Sequence, residues 1–151
     1  MKKMTIEARL DNLDKVLNFV SEELELSKCP RNLWNQIATA TEEIFMNVAS
    51  YAYKPAKGDV AIYVFLTGEE IVIKFEDTGK PFNPLEQTDP DLDKPLMERK
   101  IGGLGIYMVK RFMDKITYAR VDNKNVLTMT KEIARDVSEI GVYADGTAEY
   151  R

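Results

Sequence analysis

Two runs of alternating residues, Asp59–Leu66 and Glu70–Asp77, are separated only by Thr67-Gly68-Glu69. No other stretch constrains the fold as much. β-Branched and aromatic residues at every second position, with a glycine between the runs, predict an antiparallel hairpin. In the second run Ile71, Ile73 and Phe75 share one face, and Lys74 and Glu76 take the other. A sheet with one apolar face has to bury that face under a second layer. The period of two carries Asp77 onto the apolar face as well. A carboxylate in that place, directly before Thr78-Gly79, is either a turn-forming group or one that meets a ligand.

The covering layer is visible in the helical periods. Residues 4–10 alternate and read as a further strand. Asp11 or Asn12 is then placed to cap a helix carrying Leu13, Val16, Leu17, Val20 and Leu24 on one stripe. Pro30 suits the first turn of a second helix over about residues 31–51, with Leu33, Ile37, Ala40, Ile44 and Val48 turned inward. Gly102 to Met113 predicts a glycine-opened helix with Ile106, Val109, Lys110 and Met113 along one side. Ile116–Val121 and Val126–Ile133 predict a second hairpin around Asp122-Asn123-Lys124-Asn125. Val142–Tyr150 allows a last one at Asp145-Gly146. The expected fold is α+β: a two-layer sandwich, its sheet mixed and mainly antiparallel, with three helices on one face. At 151 residues the chain fits one such domain.

Between the two hairpins lies a segment of a different kind. Residues 78–101 hold four prolines, five acidic residues and no sustained period. A long stretch without regular structure inside a compact domain is commonly a lid or a binding loop. Around it stand the candidate chemical groups. Glu43 and Asn47 are one helical turn apart at the edge of the apolar stripe, so they project together toward the sheet. Gly102-Gly103-Leu104-Gly105 precedes an amphipathic helix, where glycines allow close backbone approach and the helix end offers unpaired N–H groups. Each feature has an ordinary alternative, a surface pair for Glu43 and Asn47 and a plain turn for the glycines. No Walker loop and no Gly-x-Gly-x-x-Gly pattern is present.

Composition removes several function classes. The chain has no histidine, which excludes histidine-ligated zinc, a histidine-based catalytic triad and a phospho-accepting histidine. Its one cysteine, Cys29, permits no intrachain disulfide and suits a reducing cytoplasm. A net charge of −4 argues against direct nucleic-acid binding. The longest apolar run, Val60 to Leu66, is too short for a membrane span, and the opening residues do not read as a signal peptide.

In this order the residues resemble the GHKL ATPases, the group that contains gyrase, the heat-shock chaperone ATPase, MutL and the histidine kinases. Glu43-x-x-x-Asn47 is similar to the N-box, Glu76-Asp77-Thr78-Gly79 to the first glycine box and Gly103-Leu104-Gly105 to the second. Within the group the likeness is greatest to bacterial anti-sigma factor serine/threonine kinases, which carry a similar run, here Met97-Glu98-Arg99 through Phe112-Met113-Asp114. The resemblance covers roughly residues 4–133. It implies that Asp77 accepts a hydrogen bond from the adenine amine and that Gly79 lets the base lie against the turn. It further implies that Asn47 holds Mg²⁺, that Glu43 orients and deprotonates an attacking hydroxyl, and that Gly103, Leu104 and Gly105 wrap the phosphates of ATP. Arg99 or Lys100 would stand near the γ-phosphate. Three positions depart from the pattern: Pro81 replaces a second glycine, Lys100-Ile101 separates Arg99 from the glycines, and Val126 stands where a threonine commonly approaches adenine, with Thr128 as its substitute.

The implied activity is that of an ATP- and Mg²⁺-dependent protein serine/threonine kinase. Its partners would be a sigma factor and an anti-sigma factor antagonist, and kinases of this type are often homodimers. The alternative is a nucleotide-binding switch that transfers no phosphate, or a subunit active only with a separate chain. The tail from Ala134 onward has no counterpart in this resemblance.

Overall fold

A computed structural model of the chain describes residues 1–86, 104–133, 140–142 and 148–150. The main sheet has five strands, β1 (Lys2–Glu7), β2 (Asp59–Thr67), β3 (Glu70–Asp77), β4 (Lys115–Val121) and β5 (Lys124–Glu132), in the order β1-β2-β3-β5-β4. Three helices, α1 (Leu13–Leu26), α2 (Arg31–Asn47) and α3 (Leu104–Phe112), pack with it around one core. The expected α+β sandwich is present. Every ladder between described strands is antiparallel, however, where a mixed sheet was expected. The connections explain this. Two helices return the chain between β1 and β2, while β2–β3 and β4–β5 are hairpins. A separate antiparallel pair, β6 (Ile140–Val142) and β7 (Ala148–Tyr150), forms the tail hairpin, whose Asp145-Gly146 turn lies outside the described residues. Among the described residues no helix is long and apolar enough to cross a membrane.

The core follows the alternation read from the strands. Val60, Ile62 and Val64 of β2, Ile71, Ile73 and Phe75 of β3, and Leu127 and Met129 of β5 are all buried on one face. The register sets Ile62 beside Phe75 beside Leu127, and Val64 beside Ile73 beside Met129. Ile37, Ala40, Ile44 and Phe45 of α2 cover these rows, flanked by Val16, Val20 and Leu24 of α1 and by Ile106 and Val109 of α3. Leu33 and Val48, near the two ends of α2, are only partly buried. Each large apolar side chain buried this way contributes about 1.5–3 kcal/mol, so this interface holds the two layers together.

Boundaries shift where local bonding wins. A 3₁₀ turn at Leu10–Asn12 takes up the end of the first predicted strand. Asn12 takes the N-cap position of α1, but its side chain makes no capping bond, and its Nδ2 instead donates back to the Glu7 carbonyl at 2.9 Å. Pro30 stands just before α2 rather than within its first turn. Asp122 and Asn123, with φ of 50° and 63°, close the second hairpin in two residues, because that left-handed geometry matches the twist of the paired strands. Lys124 and Asn125 therefore belong to β5 and not to a four-residue loop.

Phe75→Ala should destabilise the protein by about 3–5 kcal/mol in urea unfolding, as expected for a large ring lost from a packed core. Lys74→Ala, on the other face, should lose less than about 1 kcal/mol. Equal losses at the two positions would contradict the register.

Candidate functional site

The helix that covers the sheet does not end cleanly. Val48–Ala52 extend α2 as a wider π-helical turn, a feature frequent at functional sites. This turn brings the Ala52 carbonyl against the chain leaving β3, where the Lys80 N–H donates to it at 2.8 Å. Gly79 makes the approach feasible, since a Cβ there would run into the Ala52 backbone. Its missing side chain thus makes room for the chain itself. Tyr53 fastens the same corner: its hydroxyl donates to the Asp59 carbonyl at 2.6 Å and accepts from the Thr78 N–H at 2.9 Å.

Asp77 ends the buried row of β3 and is 6% exposed. Its Oδ1 accepts from the Gly79 N–H and from Asn125 Nδ2, each at 2.9 Å. Its Oδ2 has no hydrogen bond to any described residue. The register places Val60, Asp77, Asn125 and Arg120 in one row across four strands. Arg120 donates to the Gly79 carbonyl at 2.8 Å. Asn125 Nδ2 donates also to the Lys80 carbonyl at 2.7 Å, and Asn125 Oδ1 accepts from the Tyr118 hydroxyl at 2.5 Å and the Phe82 N–H at 3.2 Å. Asp77, Asn125 and Tyr118 line one cleft. Phe75 and Leu127 belong to its sheet side, Ile44 and Val48 to its helix side, and Phe82 and Pro84 to the segment after β3. A largely apolar hollow with a few converging polar groups is the usual form of a small-molecule site.

Asn47 lines the same cleft, and its Nδ2 is buried with no hydrogen-bond partner. Leaving such a group unpaired costs about 1–3 kcal/mol, which a ligand in the cleft would recover. Turning the amide exchanges Nδ2 for Oδ1, so the group can donate to a phosphate oxygen or offer its own oxygen to a cation. Among the described residues no three His, Cys, Asp or Glu side chains converge as a metal cluster. A magnesium ion bound here would take most of its ligands from phosphate and water, a role that a single amide oxygen fits.

Glu43 is one turn before Asn47 and half-buried. Burial raises the pKa of its carboxyl, and the neighbouring Glu42 charge adds to the effect. A Cβ on Gly105 would fall on this carboxylate, so Glu43 lies against the first turn of α3. Gly105 is where the absence of a side chain gives Glu43 its place.

The structure thus brings Asn47 and Asp77 together in one cleft, sets Gly79 against Ala52 of its lining, and sets Glu43, one turn before Asn47, against Gly105. Arg99, Lys100 and Gly103 lie outside the described residues, and Leu104 is described only as the start of α3. Val126 and Thr128 pair with Glu76 and Lys74, so both face away from the cleft and neither stands in for the adenine-side threonine. Asn125 takes the cleft side, and sequence reasoning missed it together with Tyr118 and Tyr53. The signal for Asn125 was the alternation Asn125, Leu127, Met129, which is hidden when residues 122–125 are read as a loop.

The family model of the histidine kinase-like ATPase domain matches residues 6–131. The chain belongs to this family. Its relatives include the serine/threonine-protein kinase BtrW of Bordetella bronchiseptica, 29% identical over 65% of this chain and 70% of the relative. The anti-sigma F factor of Thermoanaerobacter sp. is 30% identical over 66% and 71%, and the serine-protein kinase RsbW of Bacillus cereus 33% identical over 66% and 64%. A crystal structure of the RsbU and RsbW domains of a Mycobacterium tuberculosis protein shares the fold, with a TM-score of 0.61 at 15% identity over 90% of this chain. The chain spans 34% of that longer protein.

The raised pKa of Glu43 carries a sign that can be measured. The folded protein holds this proton more tightly than the unfolded chain, so the contribution to stability is present at low pH and is lost as the pH rises through the raised value. Glu43→Gln, which cannot ionise, escapes that loss. The variant should melt with wild type at about pH 4 and progressively above it toward about pH 7. A gap that narrows as the pH rises would contradict the burial of Glu43.

Proposed function

We propose that this protein is an ATP-dependent serine/threonine kinase of the anti-sigma type, which binds a sigma factor and phosphorylates an anti-sigma factor antagonist. One observation carries the reading: Asp77, buried at the end of an apolar row and lining the cleft, has one oxygen held by two donors while the other has no hydrogen bond among the described residues. Adenine presents a matching donor, its exocyclic amine, on a flat apolar ring. The names of the relatives support the kinase and anti-sigma parts of the proposal.

In this mechanism Asp77 Oδ2 accepts from the adenine amine while Phe75 and Leu127 border the ring. Asn47 meets the phosphates, with Arg99, Lys100, Gly103, Leu104 and Gly105 assigned to the same end of the nucleotide. When bound, Mg²⁺ supplies charge neutralisation across the phosphate oxygens. Glu43 orients the serine hydroxyl of the antagonist and accepts its proton as the serine oxygen bonds to the γ-phosphorus. The bond from that phosphorus to the β–γ bridging oxygen breaks, and ADP leaves. A carboxylate with a raised pKa, close to a transferred proton, is suited to this step.

Incubation with labelled ATP, Mg²⁺ and a candidate antagonist tests the proposal. Glu43→Gln should keep ATP affinity nearly intact and lower transfer by about 10²–10⁴-fold, the usual worth of a positioned general base. Asn47→Ala should instead weaken Mg²⁺-dependent nucleotide binding. Wild-type protein that binds ATP yet transfers to no cognate antagonist would return the function to a nucleotide switch.

A further inference from the structure

We infer that Asn125 is the positioning residue of the base-binding carboxylate: it fixes Asp77 so that one acceptor oxygen alone meets the ligand. The same side chain ties that carboxylate to the start of the 78–101 segment. The inference rests on the adenine reading of Asp77 given above.

A side-chain amide has two N–H groups and an oxygen that accepts twice. In Asn125 all four places are filled. Nδ2 donates to Asp77 Oδ1 at 2.9 Å and to the Lys80 carbonyl at 2.7 Å, and Oδ1 accepts from the Tyr118 hydroxyl at 2.5 Å and the Phe82 N–H at 3.2 Å. The reversed amide would set oxygen against Asp77 Oδ1 and the Lys80 carbonyl, and N–H against the Phe82 N–H, so the network itself decides the orientation. Asn125 is 6% exposed and has no bond left to give a ligand. It acts through Asp77.

The consequence is selectivity. A carboxylate with both oxygens free can turn to meet donors from several directions. Here the Gly79 N–H and Asn125 Nδ2 both converge on Oδ1, which leaves Oδ2 one direction and one function, that of an acceptor. A base with an amine at that place is matched, and a base with a carbonyl there sets oxygen against oxygen. The amide links base recognition to the backbone of Lys80 and Phe82, where the 78–101 segment starts.

Calorimetric titration with Mg²⁺–ATP and Mg²⁺–inosine triphosphate, which carries a carbonyl in place of the amine, tests the inference on wild type, Asn125→Ala and Asn125→Leu. Wild type should prefer ATP by roughly tenfold or more, the worth of one matched against one mismatched buried hydrogen bond. In the variants the ratio should fall to within about threefold. Asn125→Leu keeps the approximate volume of the side chain and can neither donate nor accept, so it reports even if the space left by Asn125→Ala prevents folding. Variants that lose affinity for both nucleotides alike, with the ratio kept, would overturn the positioning role while leaving the adenine reading in place. Wild type that binds the two nucleotides equally would overturn both.

Discussion

Burial of one face of the β2–β3 hairpin beneath α2 is the contact on which the rest of the molecule depends. It orders the apolar rows Val64-Ile73-Met129 and Ile62-Phe75-Leu127, and the same register then places Asp77 and Asn125 side by side in the next row. The apolar stripe of α2 does not close over that row. The helix widens at Val48–Ala52 and leaves a cleft between itself and the sheet. Polar groups at the end of a dry face must satisfy one another, and among the described residues they do so with Asp77 Oδ2 to spare.

The two ends of the site are joined by α2. Asn47 lines the cleft that Asp77 closes, and Glu43, a turn earlier, lies against α3 at Gly105. The spacing of one helical turn thus sets Asn47, proposed to meet the phosphates, and Glu43, proposed to accept the proton, on a single rigid element. Burial that raises the Glu43 pKa also makes its charged form unfavourable in the folded protein, so the group proposed for catalysis is one that the fold holds at a loss of stability. Helix α3 is pinned to the core by Ile106 and Val109, which keeps its first turn against Glu43.

Much of this was legible in the sequence. The alternation of Glu70–Asp77 gave the buried face and placed Asp77 on it. The period of α2 gave Ile37, Ala40 and Ile44 as core and set Glu43 and Asn47 at its edge. What escaped were features decided by bonds between distant segments. Asn125 looked like a turn residue because Asp122 and Asn123 were not recognised as a complete two-residue turn, and that error hid the partner of Asp77. The π-helical turn at Val48–Ala52 has no periodic signal, and the packing of Gly79 on Ala52 depends on it. Antiparallel pairing throughout, where a mixed sheet was expected, follows from the helix pair between β1 and β2, a property of topology and not of any one strand.

Whether Asp77 reads the base of a bound nucleotide is decided by calorimetry of Asp77→Asn with Mg²⁺–ATP. The substitution keeps the size of the side chain and can turn the acceptor facing the cleft into a donor. The account predicts a loss of about 1–3 kcal/mol, roughly tenfold to over a hundredfold in affinity, with the fold intact by circular dichroism. Unchanged ATP affinity in the folded variant would contradict it.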